Sequence, residues 1–282
     1  MSSVKTESKE SASLRFLYAT APGRLFLKCI NGRWLSRLCG RFLDSSASRR
    51  IIPRFVEKNG IDLSEYERDS FDSFNDFFTR KIKDGARPFD MTSSSLCSPC
   101  DGLLSAYRID GDTVLPIKQS FYTISSLLGG SETSKRFSDG ICIVIRLCVD
   151  NYHRYAYVDD GVKENNIYIK GKLHTVRPIA LKQYPVFTEN CREWTVMHTE
   201  NFGDVAEIEV GAMLVGKIKN HLGKGSFSRG EEKGMFLYGG STVVLLFESG
   251  RVRIFDEYFA STLTGKETPV RMGECIGEAL MQ

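Results

Sequence analysis

The chain lacks any apolar run near the roughly 18 residues that a membrane-spanning helix needs. Its longest candidates are residues 141–149, interrupted by Arg146, and 243–247. It also lacks a strong charge of one sign: the formal net charge is +3, too small to imply a nucleic-acid partner. The first ten residues are polar and mixed in charge, so no secretory signal peptide is expected. The eight cysteines (29, 39, 97, 100, 142, 148, 191 and 275) are scattered, which reads as reduced thiols in a cytosolic protein. Cys97 and Cys100 form a single Cys-x-x-Cys pair with no second pair or histidine at zinc spacing and no thioredoxin-like context, so no metal or redox role is assigned to it. There is no internal repeat and no low-complexity tract. Histidine is scarce, with four in 282 residues.

At 41% apolar residues, a chain of this length can bury one large core, or one core and a small appendage. Its basic charge is concentrated: residues 11–58 hold ten Lys or Arg against Asp44 and Glu57, a net +8 that leaves residues 59–282 net negative. Within this segment Leu27, Ile30, Trp34, Leu38 and Phe42 recur at helical spacing, beside a row of Arg33, Arg37 and Arg41. Such a basic amphipathic helix suits an anionic membrane surface, and equally a surface helix packed on the core.

Residues 12–83 read as helices broken at Pro22-Gly23, Asp44-Ser-Ser and Asn59-Gly60, with Phe71, Phe74, Phe78 and Ile82 on one face. From about residue 96 the pattern turns to strands. Leu103–Ile109 and Thr113–Ile117 flank the turn signal Asp110-Gly111. Further strands are expected at 141–149, 154–158, 166–176, 195–199, 205–210, 213–218, 242–247 and 251–255, and a short helix at 125–128. The fold class is therefore α+β, mainly β, with a helical region over 1–85 and an antiparallel β-rich domain over 86–282.

The segment Phe236-Leu-Tyr-Gly-Gly-Ser-Thr-Val-Val-Leu-Leu-Phe247 sets two glycines and a serine directly before an apolar, β-branched strand. Gly239 and Gly240 permit the conformations of a strained turn, and Ser241 can aim its hydroxyl at the Gly240 carbonyl. An ordinary Gly-rich turn would look the same, but other blocks accompany it in order: Phe74-Asn-Asp-Phe-Phe-Thr-Arg-Lys81, Ser98-Pro-Cys-Asp-Gly102, Tyr152-His-Arg154, Glu209-Val-Gly-Ala-Met-Leu-Val-Gly216 and Gly230-Glu-Glu-Lys-Gly234. Together these resemble the pyruvoyl-dependent phosphatidylserine decarboxylase family.

The resemblance implies a compact barrel or sandwich of the barrel-hybrid kind. It also implies self-cleavage between Gly240 and Ser241, giving a β chain 1–240 and an α chain 241–282. Attack of Ser241 on the Gly240 carbonyl gives an ester; its elimination and hydrolysis leave a pyruvoyl group, the covalent cofactor. That group would condense with the substrate amine and accept the electrons released with carbon dioxide. Asp101 and His153 fall on the family's catalytic positions, with His153 also the donor that protonates the substrate after decarboxylation. Thr175 and Val176 fall on a segment lining the substrate site.

One departure stands out. Where many relatives carry a second histidine, in Tyr-His-Arg-x-His, this chain has Ala156; His153, His174, His198, His221 or a water relayed by Asp101 would have to replace it. Phosphatidylserine, an anionic membrane surface and the chain's own two fragments are the implied partners, at a cytoplasmic, peripheral-membrane location. A homodimer is compatible with the sequence. Decarboxylation of a soluble amino acid, or a non-cleaved, non-catalytic lipid-binding β module, are the competing readings.

Overall fold

In the computed structural model the described residues are 12–30, 33–111, 115–117, 120–176, 178–181, 184–212, 217–237 and 241–280; of these 12, 14, 28–30, 33–37, 115–117, 120, 121, 178 and 181 are described by backbone alone. A nine-stranded antiparallel sheet organises them. Its path runs Gly225–Phe227, Gly161–Lys163, Arg192–Thr199, Gly203–Val210, Ser241–Phe247, Ile141–Leu147, Gly102–Arg108, Thr268–Val270, with Ile167–Ile169 also paired to Arg192–Thr199. The interior strands are rich in Val, Ile and Leu because both sheet faces are covered, and every residue of Ser241–Phe247 and Ile141–Leu147 is buried.

Alternation along the strands assigns each side chain to a face. Cys142, Val144, Val244, Leu246, Ala206, Ile208 and Val210 pack with Tyr18, Leu27, Leu127, Val186 and Phe187 on one side. Ile143, Ile145, Val243, Leu245, Phe247 and Val205 pack with Tyr155, Phe236, Ile254 and Ile276 on the other. Each fully buried side chain of this kind contributes about 1.5–3 kcal/mol. Two small sheets cover the second face: Ser95–Cys97 with Cys275–Ala279 and Val252–Ile254, and Ile218–Asn220 with Glu232–Phe236 and Arg154–Ala156.

The mainly antiparallel α+β class expected from the sequence is therefore present, but among the described residues the central sheet is open at Gly225–Phe227 and Thr268–Val270 and closes no barrel. The hairpin expected around Asp110-Gly111 is not formed. Gly111 does turn, at φ 57, but Gly102–Arg108 pairs with Ile141–Leu147 and Leu115–Ile117 with Ser120–Tyr122. The long strand expected over 166–176 is confined to Ile167–Ile169, since Gly171 runs against the backbone of residues 189–191 and Lys172 makes only a bridge to Asn190.

In the helical region the break falls at Thr20 rather than at Pro22-Gly23. Pro22 sits in the first turn of Ala21–Ile30, where a missing N–H costs no intrahelical bond. The stripe from Leu27 to Phe42 is divided between two helices, Ala21–Ile30 and Arg33–Asp44; the side chains of Ile30, Arg33, Trp34 and Arg37 lie outside the described residues. The phenylalanine helix is only Phe74–Phe78, and Phe71 joins Phe74, Phe77 and Phe78 from a preceding loop in a separate core with Leu43 and Ile52. Among the described residues no helix is long and apolar enough to cross a membrane.

Candidate active site

Sheet register gathers the sequence-predicted residues at one end of the central sheet. Ser241 is paired with Leu147 on one side of the Ile141–Leu147 strand, and Leu103 with Arg146 on the other. Asp101 thus immediately precedes the strand two positions from that of Ser241, about 10 Å away by strand spacing. Gly102 is required there, because a Cβ would come within 2.9 Å of the Arg146 carbonyl oxygen. Past Leu147 the chain turns tightly, with the Cys148 N–H donating to Asn151 Oδ1 at 2.7 Å, and delivers His153. Ser241 is fully buried on the face of Val243 and Leu245, and its hydroxyl has no hydrogen-bond partner among the described residues. Gly240 lies outside the described residues.

The phenylalanine block acts as the mount for His153. Arg80, buried, donates to the carbonyls of Asp150 and Asn151 at 3.2 and 3.4 Å, and to the Tyr66 hydroxyl at 3.0 Å. The Thr79 carbonyl accepts from Arg154 Nη2 at 2.6 Å, while the Phe78 ring lies 4.0 Å from the imidazole. His153 Nδ1 is 2.8 Å from the Asn151 carbonyl oxygen. A carbonyl can only accept, so Nδ1 carries a proton and Nε2 is the nitrogen left for proton exchange.

Asp101 is held by Arg87 and by the backbone at Met272. Arg87 donates to both its carboxylate oxygens at 3.0 Å, and the Met272 N–H donates at 2.8 Å. Sequence reasoning passed over Arg87, which lies in a loop without a motif. The Ala156 N–H donates to the Pro99 carbonyl at 2.9 Å, so position 156 does border the loop that carries Asp101. Beside both opens a cleft of about 250 Å³, whose lining includes Lys81, Arg87, Tyr152, Arg154, Ala156 and Glu232.

The other histidines separate clearly. His198 is level with Asp204, to which it is bound at 2.7 Å, whereas Ser241 is level with the residue after Val210. Seven residues of strand, roughly 23 Å, divide them, which removes His198 as the base. His174 is buried beside Tyr18 and Tyr184, with its Nε2 3.3 Å from Glu189 Oε2; burial lowers its pKa. Thr175 donates its N–H to Tyr18, and Val176 lies in the apolar cluster on the sheet face opposite that of Ser241. His221 contacts Glu232 at 2.6 Å, and Glu232 is the register partner of Ala156.

A buried ionic trio completes this end of the sheet. Lys233 ion-pairs with Glu209 and lies 3.5 Å from Glu207; all three side chains are fully buried. Lys233 occupies the β-bulge between Glu232, opposite Ala156, and Gly234, opposite Tyr155. The extra residue turns the ammonium inward. Gly234 must follow it, since a Cβ would meet the Tyr155 hydroxyl at 2.7 Å. Asn220 donates to Glu209 at 3.3 Å and Glu193 at 2.9 Å while accepting from the Tyr155 hydroxyl at 3.0 Å. Burial pushes the Glu207 carboxyl up to about 8 against the pull of Lys233, and burial raises Glu209 as well. Desolvation opposes the Lys233 charge, but Glu207 and Glu209 hold its pKa above the ordinary lysine value.

Comparison with known proteins accords with this geometry. The family model described as phosphatidylserine decarboxylase matches residues 74–278. The chain is 46% identical over 270 residues to phosphatidylserine decarboxylase proenzyme 2 of Clostridium acetobutylicum, covering 95% of this chain and 92% of that protein. It is 42% identical over 273 residues to the phosphatidylserine decarboxylase proenzyme of Ruminiclostridium cellulolyticum, covering 95% and 91%. With the proenzyme of Desulfitobacterium hafniense strain Y51 it shares 40% identity over 270 residues, covering 94% and 91%.

Proposed function

Since the chain belongs to the phosphatidylserine decarboxylase family, we propose that it cleaves itself between Gly240 and Ser241 and decarboxylates phosphatidylserine to phosphatidylethanolamine and carbon dioxide. The observation that carries this reading is the buried Ser241 hydroxyl, without a hydrogen-bond partner among the described residues, at the first residue of a central strand and on the same sheet end as Asp101 and the turn to His153. A hydroxyl in a dry site with no partner is costly for stability alone; its burial suits a residue converted to something else. The residues present therefore fit a pyruvoyl group at position 241, which supplies an electrophile for the substrate amine and a sink for the electrons of the breaking carboxylate bond.

The chain's own side chains do the rest. His153, with its Nδ1–H fixed on the Asn151 carbonyl, exchanges a proton with the substrate through Nε2. Arg87 keeps Asp101 oriented at the loop beside position 156. The cleft is lined by Lys81, Lys83, Arg87 and Arg154 against Glu67, Asp84 and Glu232, with Arg87 paired to Asp101 and Arg154 to Glu232, so a headgroup carboxylate or phosphate would compete there with carboxylates already in place. Thr175 and Val176 are carried as substrate contacts on the family resemblance alone, since Val176 is buried on the sheet face opposite Ser241.

Residues 1–85 act as a membrane-associating region beside a catalytic domain over 86–282. Phe16, Leu25, Phe26, Leu38 and Phe42 are large apolar side chains about half or more exposed within the strongly basic segment, a combination that favours peripheral docking on anionic lipid. Co-sedimentation with phosphatidylglycerol-containing vesicles should fall as salt is raised. Intact-mass analysis tests the main reading: native protein should resolve into two chains, the smaller beginning with a pyruvoyl-bearing position 241. Ser241→Ala should give one chain and no detectable decarboxylase activity. Recovery of only full-length, inactive wild-type protein would overturn it.

A further inference from the structure

Self-cleavage at Ser241 needs a group to take the hydroxyl proton, and Ala156, which the resemblance sets against a second histidine in many family members, can take none. His198 is too far along the sheet, and Asp101 precedes a strand two positions from that of Ser241, whereas the strand Gly203–Val210 is its direct neighbour. The bulged strand opposite Ala156 instead turns a lysine inward.

We propose that Glu209, held by Lys233, accepts the Ser241 proton during self-cleavage. This rests on the cleavage reading above. Glu209 is paired directly with Val243 and is therefore the diagonal neighbour of Ser241 on the same sheet face. Diagonal Cβ atoms in an antiparallel pair are about 7–8 Å apart, a gap that a glutamate side chain and a serine hydroxyl can bridge. Both groups are sealed from water, and the Lys233 ammonium favours the carboxylate form of Glu209 against the burial that raises its pKa. Asn220 holds the second carboxylate oxygen.

The step balances without an added reactant. The Ser241 Oγ bonds to the Gly240 carbonyl carbon as its proton passes to Glu209. The peptide bond between Gly240 and Ser241 then breaks, and Glu209 returns the proton to the nitrogen of residue 241, leaving an ester. The alanine at 156 is then no defect, because the base comes from the strand beside Ser241.

Cell-free synthesis followed by a time course of chain separation reads the cleavage rate directly. Glu209→Gln and Lys233→Met should slow cleavage about 10²–10⁴-fold, the usual loss for a positioned proton-transfer group, while near-ultraviolet circular dichroism matches that of uncleaved Ser241→Ala. Lys233→Arg should still cleave but with a displaced pH–rate profile, because the profile reports Glu209 in the field of Glu193, Glu207, Tyr155, Tyr157 and residue 233. That displacement is something a purely structural lysine would not produce. His221→Ala should cleave at the wild-type rate. Wild-type cleavage in folded Glu209→Gln, an unmoved profile in Lys233→Arg, or a single-chain His221→Ala would each overturn the assignment. Should Glu209→Gln not fold, the Lys233→Arg profile decides. A wild-type chain that never separates would count against the cleavage reading instead.

Discussion

The two faces of the central sheet are built from the same two strands and do different work. On one face Gly203–Val210 and Ser241–Phe247 contribute Ala206, Ile208, Val210, Val244 and Leu246, all in one hydrocarbon cluster. On the other they contribute Glu207, Glu209 and Ser241, fully buried and joined by Lys233 from the covering sheet. The first arrangement is what stability alone selects. The second carries desolvation penalties that apolar residues of similar volume would avoid, and its carboxylates lie on the strand next to the one that begins at the proposed cleavage point. The comparison teaches that a period of two lets adjacent residues of one strand belong to a core and to a reaction centre. It also locates chemistry where local stability is poorest value.

The largest effect that would sharpen this division concerns His153, which enters from the end of the sheet and belongs to neither face. If Glu209 and Lys233 serve cleavage and His153 serves decarboxylation, His153→Ala should still resolve into two chains. Its decarboxylase kcat should fall about 10²–10⁴-fold. Mass spectrometry and a carbon dioxide release assay on one preparation separate the two results. Full activity in His153→Ala would remove it from the site, and a single-chain product would mean that cleavage draws on His153 as well.

The apolar face makes the complementary prediction. Leu246 is fully buried in the hydrocarbon cluster, so Leu246→Ala should cost about 2–5 kcal/mol of stability. The folded fraction should nevertheless cleave at the wild-type rate. Urea unfolding in a Ser241→Ala background, compared with cleavage kinetics of Leu246→Ala alone, checks both halves. A folded Leu246→Ala chain that does not cleave would break the division between faces.

Much of this architecture was legible in the sequence, and the parts that were not have physical causes. The strand before Phe247, the short helix near Ser125 and the position of Ser241 follow from local periodicity and turn chemistry. Pairing does not: the Asp110-Gly111 turn is real, yet its flanking strands choose partners far along the chain, because cross-strand packing decides a register that local propensity cannot. At the site, Ser241, Asp101 and His153 were reached through resemblance. Arg87 and Lys233 were not singled out, since an arginine in a loop and a lysine in Glu-Glu-Lys-Gly read as ordinary solvated charges. Two signals were available for the trio. Glu207 and Glu209 alternate with the apolar Ala206, Ile208 and Val210, and a lysine sits just before a glycine that close approach requires.

The smallest effect predicted is also the most direct test of why the second face tolerates its charges. With Glu207, Glu209 and Lys233 all ionised the trio would carry an excess negative charge in a fully buried site. Glu207 is the carboxyl that yields: burial pushes it up to about 8, so near neutral pH it is largely protonated. In the unfolded chain the same carboxyl ionises near the ordinary glutamate value of 4.5. Between about pH 4.5 and about pH 8 the native state therefore binds more protons than the unfolded state, and stability falls as pH rises through this window. Glutamine at 207 mimics the protonated acid and leaves Lys233 and Glu209 as a balanced pair. Glu207→Gln should thus be close to wild type at pH 5 and more stable at pH 8, by on the order of 1–3 kcal/mol or a few degrees in Tm. Denaturant unfolding of both chains in the uncleaved Ser241→Ala background, at pH 5, 6, 7 and 8, gives the difference directly. A gap that stays constant or closes with rising pH would mean that Glu207 is ionised in the folded protein and that Lys233 neutralises both carboxylates. Glu209 would then share its counter-ion, and the lysine at the bulge would have to hold two anions rather than prime one.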